Sequence, residues 1–276
     1  MKINLQECSG RHPAARPGSA PAVKNLNFEV ALGEQVAVIG PSGAGKTTLL
    51  HLLACALQPT SGRVLLNGVS PWSVGKGELT QLRQSLFLAP QVPPLPPRQR
   101  VVTSVLAGQL PNMGLWRSLR SLFYPVDIPA AHAALLQFDL AEKIFERVDR
   151  LSGGERQRVG LARGAVSNAS LFLIDEPLSA LDPARADQAM VSITRMARER
   201  NSTLVATLHQ VEMALKYFPR ILGMREGELM FDLPAAEVTQ DILTKLYDQH
   251  LDELTGPAPD LPPLDFKPAP VVMQCR

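Results

Sequence analysis

The stretch Gly40-Pro41-Ser42-Gly43-Ala44-Gly45-Lys46-Thr47 decides the fold of this chain. It matches the phosphate-binding loop pattern G-x-x-x-x-G-K-[ST] at every fixed position. The apolar run at residues 35–39 before it predicts a buried strand, and residues 48–57 after it predict a buried helix. A strand, a glycine-rich loop and a helix in this order form the context that supports the motif.

The residue types of this loop suit a chain of phosphates. Its glycines allow close backbone approaches, so that backbone N–H groups can surround an anion. The helix N-terminus adds unpaired N–H donors, Lys46 adds a positive charge near the outer phosphates, and Thr47 offers a hydroxyl to Mg²⁺. We take the loop together with Thr48 as the candidate binding segment. The motif predicts a bound nucleoside triphosphate but does not name the reaction.

Composition excludes several classes of protein. The chain has 276 residues, of which 45% are hydrophobic, so it has enough apolar residues for a large core. Its net charge of +2 gives no general footprint of nucleic-acid binding, and we expect no nucleic-acid partner. The three cysteines, Cys8, Cys55 and Cys275, have no metal-ligand spacing and suit a reducing cytoplasm. No apolar run reaches membrane-spanning length, so we expect any membrane role to be peripheral.

Alternation of strand and helix patterns predicts a parallel α/β sheet. Apolar runs that predict strands lie at residues 22–32, 62–68, 85–88, 170–175 and 202–209. Helical patterns lie at residues 79–83, 101–149 and 182–199. The prolines of residues 90–97 favour an extended loop, and the proline-rich tail at 256–276 is expected to be flexible.

A second constellation, Leu151-Ser152-Gly153-Gly154-Glu155, opens a predicted helix. Ser152 and Glu155 have the spacing of a capping box, which by itself explains a helix start. The two glycines weaken a helix start but expose backbone N–H groups to an anion. This segment resembles the LSGGQ signature of the ATP-binding cassette (ABC) family, with Glu155 in place of the usual Gln. In that family the signature distinguishes a cassette from other phosphate-loop ATPases.

Further motifs resemble those of the family in the family's order. Residues 171–176 resemble its Walker B strand, and the resemblance implies that Asp175 holds Mg²⁺ and that Glu176 is the general base. Taken alone, the segment also reads as a core strand that ends in two solvated acids. His209 resembles the switch histidine that contacts the γ-phosphate, and Gln91 resembles the Q-loop glutamine that senses Mg²⁺ and water. The structural alternatives are a satisfied histidine at a strand end and a surface glutamine.

The segment Ser179-Ala180-Leu181-Asp182 resembles the family's D-loop. Asp182 followed by Pro183 also makes an ordinary helix N-cap, and both interpretations can hold together.

The resemblance implies an ABC-type P-loop NTPase of the α/β class. Its expected ATPase domain covers residues 1–255. Within it we expect a RecA-like core with a small antiparallel β subdomain (about 22–90 and 150–230) and an α-helical subdomain (about 92–149). The implied cofactors are ATP and Mg²⁺. The implied partners are a second copy of the chain, integral membrane permease subunits and a substrate-binding protein that acts through the permease. The implied location is the cytoplasmic face of the bacterial inner membrane.

One family feature is missing from the sequence. The family stacks adenine on an aromatic residue upstream of the phosphate loop, but residues 9–16 contain neither Tyr nor Phe. Arg11 or His12 is the candidate replacement.

The middle of the chain resembles a particular branch of the family. Residues 104–110, 115–119, 122–123 and 207–211 are similar to the phosphonate importer branch, which implies uptake of phosphonate, aminoethylphosphonate or phosphite. Alternatively, Trp116 and its neighbours only pack the helical subdomain. The competing functions are a cassette ATPase that imports or exports another substrate, and an ATPase-like part of a phosphonate-degrading complex. A DNA-repair cassette is disfavoured because residues 47–151 carry no sustained heptads.

Overall fold

A six-stranded sheet brings the candidate motifs together in the computed structural model, which describes residues 1–12, 14 and 18–248. Its strand order is β5-β6-β7-β3-β8-β9, and all neighbours are parallel except the antiparallel pair β8 and β9. The strands are β3 (Gln35–Ile39), β5 (Leu86–Ala89), β6 (Leu171–Asp175), β7 (Thr203–Thr207), β8 (Arg220–Arg225) and β9 (Glu228–Pro234). Parallel strands place their carboxyl ends at one edge of the sheet, where α/β proteins bind ligands.

A smaller antiparallel sheet of order β2-β1-β4 covers one side of this core. It consists of β1 (Ile3–Gly10), β2 (Val23–Val30) and β4 (Ser61–Leu66). The sequence pattern does not predict β1. The strand bulges between Leu5 and Cys8, where Glu7 adopts φ +48°, and this shift breaks the two-residue alternation that identifies a strand.

Two hydrophobic cores lie on the two faces of the central sheet. Val36 and Val38 of β3 belong to the core shared with the small sheet, whereas Ala37 and Ile39 belong to the other. Successive residues of a strand point to opposite faces, and both faces are covered here. This burial explains why β3, β6 and β7 are apolar throughout.

The α-helices of the described residues are α1 (Lys46–Leu53), α2 (Lys76–Gln84), α3 (Val101–Leu106), α4 (Leu115–Phe123), α5 (Ile128–Gln137), α6 (Gly153–Ala165), α7 (Pro183–Glu199), α8 (Val211–Tyr217) and α9 (Gln240–Leu246). Some of them, such as α1, α7 and α8, pack against strands of the central sheet, whereas α3 and α5 pack on each other and on α6, and α4 packs on α3. Helix α1 ends four residues before the predicted end, because Cys55 adopts φ +54° and the chain leaves the helical path.

The described residues between 92 and 149 contain helices and no strand. The predicted flexible tail at 256–276 lies outside the described residues. In the described part of the chain, no helix is both long enough and apolar enough to cross a membrane.

Candidate nucleotide-binding site

The phosphate-loop motif connects the carboxyl end of β3 to the first turn of α1. A Cβ at Gly40 would lie 2.0 Å from the carbonyl oxygen of Met224, and one at Gly45 would lie 2.4 Å from that of Ala22. Both positions also have positive φ, so the loop path requires glycine there. Met224 of β8 and Ala22, which precedes β2, thus restrict the path of the loop.

The Lys46 ammonium lies within this loop. Its Nζ donates to the carbonyl oxygens of Gly40, at 2.6 Å, and Pro41, at 3.1 Å, and the residue is buried. A buried ammonium is stabilised only while oxygen atoms surround it. Phosphate oxygens have the charge and geometry to replace these carbonyl contacts, so the loop is suited to an anionic ligand.

Asp175 and Thr47 offer oxygen atoms at the same edge of the sheet. Asp175 ends β6, and its Oδ1 accepts a hydrogen bond of 2.6 Å from the Thr207 hydroxyl. Burial raises the pKa of Asp175, while hydrogen bonds from Thr207 and Thr47 act in the opposite direction. A carboxylate and a hydroxyl that meet beside a phosphate loop are hard oxygen donors, which fit Mg²⁺.

Glu176 is held from three sides. Its Oε1 lies 2.5 Å from His209 Nε2, and its Oε2 accepts a 2.7 Å hydrogen bond from Gln91 Nε2. Its backbone has φ +46°, which is uncommon for a residue other than glycine, and its N–H donates to the Thr207 hydroxyl at 3.0 Å. The structure therefore brings together three predicted site residues that follow β5, β6 and β7.

The signature segment forms the predicted capping box at the start of α6. The Glu155 N–H donates to Ser152 Oγ at 3.2 Å, and the Ser152 N–H donates to Glu155 Oε2 at 2.7 Å. The bond from the Ser152 backbone holds the pKa of Glu155 below its usual range. The capping interpretation is confirmed, and it is compatible with an anion contact at the neighbouring glycines.

The two signature glycines have different surroundings. A Cβ at Gly154 would lie 2.7 Å from the carbonyl oxygen of Ala180 and 3.1 Å from Cδ2 of Leu181. A Cβ at Gly153 would have no neighbour nearer than the Ala180 Cβ, at 3.9 Å. Gly154 therefore packs against the D-loop segment, whereas Gly153 faces open space.

The D-loop segment follows Glu176 directly. Ser179 Oγ donates to the Glu176 carbonyl at 3.3 Å. Asp182 caps α7 through a 3.0 Å hydrogen bond from the Arg185 N–H, so the predicted N-cap is confirmed.

Sequence reasoning missed three residues of this region. Thr207 contacts both acids at the end of β6, and Gln157 of α6 lies 3.5 Å from the Glu176 carbonyl. Tyr247, which follows α9 and is fully buried, accepts a 3.2 Å hydrogen bond from the Gly40 N–H. Thr207 had a signal, since it ends a buried strand two residues before His209. For Gln157 and Tyr247 no local pattern gives one.

Arg11 and His12 lie just beyond the end of β1, and both are exposed. His12 Nδ1 accepts a 3.2 Å hydrogen bond from the Ala14 N–H. Their contact with adenine stays a prediction.

A family model described as ABC transporter matches residues 23–179. The chain belongs to the ABC transporter family. Two curated relatives, from Albidiferax ferrireducens and a Polaromonas species, are named phosphonates import ATP-binding proteins. This cassette is 65% and 64% identical to them, over 100% of both chains in each pair.

Solved cassettes share the fold. A dimeric bacterial ABC transporter cassette has a TM-score of 0.73 and 26% identity, over 84% of this cassette and 98% of that chain. A cassette in a dimeric post-hydrolysis state bound to ADP and Pi has a TM-score of 0.71, 26% identity and the same coverage. The predicted ABC-type P-loop NTPase fold is confirmed.

Proposed function

We propose that this chain is the ATP-hydrolysing subunit of a bacterial ABC importer for phosphonate-type substrates: phosphonate, aminoethylphosphonate or phosphite. One observation carries the proposal: full-length identity of 65% to a protein named as a phosphonates import ATP-binding protein. The arrangement of Glu176, Gln91 and His209 at the sheet edge supports turnover of ATP.

ATP binds through the phosphate loop. Backbone N–H groups within residues 42–48 and the Lys46 ammonium surround the β- and γ-phosphates. Thr47, Asp175 and Gln91 are the residues that would hold Mg²⁺, which neutralises charge on the phosphates when it is bound. The buried position of Asp175 strengthens this electrostatic contribution, because solvent screens it less.

Glu176 accepts the proton of the attacking water. The water oxygen bonds to the γ-phosphorus, the bond from phosphorus to the bridging oxygen of ADP breaks, and the water proton passes to the carboxylate. His209 donates from Nε2 to a γ-phosphate oxygen and orients the group under attack. Gln91, in the loop after β5, would contact the bound Mg²⁺ and the attacking water.

Two copies of the chain complete two ATP sites. Residues Leu151 to Glu155 of one copy contact ATP on the phosphate loop of the second, and residues Ser179 to Asp182 line the junction. Two features support this arrangement: the open space at Gly153, and the N–H groups of Gly153 and Gly154, which have no acceptor within α6 because they lie in its first turn. The solved relatives described as dimeric support it further.

The proposed importer subunit has a domain organisation and a set of partners typical of the family. The ATPase domain covers residues 1–255, with the RecA-like core at about 22–90 and 150–230 and the helical subdomain at about 92–149. The cassette dimer binds integral membrane permease subunits at the cytoplasmic face of the inner membrane. A substrate-binding protein acts on it through the permease. Arg11 or His12 contacts the adenine.

Glu176→Gln tests the mechanism. Loss of the general base lowers ATP turnover by about 10²–10⁴-fold while ATP binding is retained. The variant then forms a dimer that persists in ATP, as measured by light scattering. Glu228→Gln, which changes an exposed acid in β9, is the matched control and retains turnover. A Glu176→Gln variant that stays monomeric at saturating ATP contradicts the shared site.

Uptake tests the substrate class. A bacterial strain that lacks this gene loses growth on a phosphonate as phosphorus source and keeps growth on phosphate. The wild-type gene restores growth, whereas the Glu176→Gln gene does not. Normal phosphonate growth of the deletion strain, with no second cassette of this type present, contradicts phosphonate import.

A further inference from the structure

Helix α4 exposes three of its apolar residues. Leu115 and Trp116 are 71% and 83% exposed, and Leu119 is also exposed. The opposite side carries Ser118, which is partly buried, and Ser121, which is buried. The alternative interpretation of Trp116, as packing within the helical subdomain, is therefore wrong. An amphipathic helix normally buries its apolar side, so α4 exposes a surface of the kind that contacts a partner.

The sequence around α4 is basic and contains no acidic residue. Residues 79–126 contain no Asp or Glu, whereas Arg83, Arg98, Arg100, Arg117 and Arg120 all lie within them. Arg117 and Arg120 are exposed on α4 itself. Arg120 is four residues from Trp116 and is therefore its neighbour on the helix surface. The charge of this surface is complementary to an anionic partner.

Tyr124 follows the last residue of α4 and is a further exposed aromatic residue. It is 72% exposed, and like tryptophan it has an apolar ring with a polar group. Tryptophan and tyrosine prefer the headgroup level of a bilayer, and arginine beside them attracts anionic lipids. A basic helix with Trp and Leu on one side lies in the plane of such an interface.

We propose that α4, together with Tyr124, docks on the anionic headgroup surface of a lipid bilayer. Leu115, Trp116 and Leu119 insert at the boundary between headgroups and acyl chains, while Arg117 and Arg120 contact lipid phosphates. This contact is additional to any contact with a permease, and it does not depend on which substrate is imported.

Intrinsic fluorescence of the full-length chain tests the proposal. The sequence contains two tryptophans, and Trp72 is only partly exposed, so a Trp72→Phe variant reports on Trp116 alone. Emission of Trp116 shifts to the blue with vesicles of mixed phosphatidylcholine and phosphatidylglycerol, and not with pure phosphatidylcholine. Vesicle co-sedimentation gives the affinity, and Trp116→Ala lowers it.

A charge-matched pair of variants isolates the helix. Each arginine near an anionic surface contributes about fivefold to the affinity, so Arg117→Gln with Arg120→Gln weakens vesicle binding about thirtyfold. The control is Arg195→Gln with Arg198→Gln, which removes the same charge from exposed positions of α7 and leaves binding unchanged. Basal ATPase activity stays at the parent level in both pairs and reports that the fold is intact.

Two results overturn the proposal. One is equal vesicle binding by the α4 pair and the α7 pair, which assigns any affinity to net charge alone. The other is a Trp116 shift that occurs with the permease in lipid-free detergent and is absent with anionic vesicles. That result makes the permease the occupant of this surface.

Discussion

The signature glycines provide a sharp test because they differ in surroundings and share a helix. Gly153 and Gly154 are the first two residues of α6. We consider Gly153→Ala and Gly154→Ala, which add the same methyl group one position apart. Any difference between the two variants therefore reports on what each methyl group meets.

The magnitude follows from the contacts. Alanine in place of glycine restricts the unfolded chain and raises the free energy of unfolding by about 0.4–1 kcal/mol where no clash arises. The methyl of Gly153→Ala has its nearest neighbour at 3.9 Å, so this variant should show that gain. The methyl of Gly154→Ala would lie 2.7 Å from the Ala180 carbonyl oxygen, and such overpacking costs about 1–3 kcal/mol. The gain is common to both variants, so Gly154→Ala should be less stable than Gly153→Ala by about 1–3 kcal/mol.

Two measurements check these values. Urea unfolding followed by circular dichroism gives the difference in the free energy of unfolding between the two variants. Dimerisation in saturating ATP is then measured with each substitution added to Glu176→Gln. Gly153→Ala should weaken the ATP-dependent dimer about tenfold or more, because its methyl enters the space proposed for ATP of the second copy.

The outcomes separate packing from ligand contact. Equal stability of the two variants would refute the packing of Gly154 against Ala180. A Gly153→Ala variant that dimerises as readily as its parent would refute the role of the open space in binding ATP.

Three single contacts can be tested by substitution. Tyr247→Phe should lower the free energy of unfolding by about 1–3 kcal/mol, because the buried Gly40 N–H loses its acceptor while the ring remains. Tyr217→Phe is the control, and a urea unfolding midpoint of Tyr247→Phe no lower than that of the control would contradict the prediction. Glu155→Gln should be less stable than wild type at neutral pH, because the hydrogen bonds that lower the pKa of Glu155 stabilise the fold only while its carboxylate is charged. This difference in the free energy of unfolding should disappear as the pH falls below about 4, where the carboxyl becomes protonated. A difference that does not change with pH in urea melts would oppose the prediction. His12→Ala should weaken ATP binding by about 5- to 150-fold in a calorimetric titration if its ring stacks on adenine, and an unchanged affinity would remove it as the adenine contact.

The parts of the structure that the sequence predicts are local. The phosphate loop and the capping box at Ser152 each depend on residues within one short segment, so their patterns are complete in the sequence. The strand β1 escaped prediction because the bulge at Glu7 interrupts its alternation. The early end of α1 depends on the backbone conformation of one residue, Cys55, inside an apolar run that reads as helix.

The unpredicted parts of the site join distant segments. The hydroxyl of Tyr247 contacts Gly40, which is 207 positions away in the chain. Gly154 packs against the carbonyl oxygen of Ala180. Neither contact has a spacing rule, since each depends on how whole elements pack. The outward direction of Trp116 was unpredictable for the same reason, because its apolar character indicates a core position.

The hydrogen bond between Gln91 and Glu176 links the rate of ATP consumption to the position of the helical region. Both oxygens of the Glu176 carboxylate are engaged in this state, one by His209 and one by Gln91, so a water that approaches Glu176 competes with these two contacts. Gln91 belongs to the proline-rich segment that leads into the helices of residues 101–149. A displacement of those helices would draw Gln91 away and release Glu176. In that case the position of the helices, and not the presence of ATP alone, would set how readily Glu176 meets the attacking water.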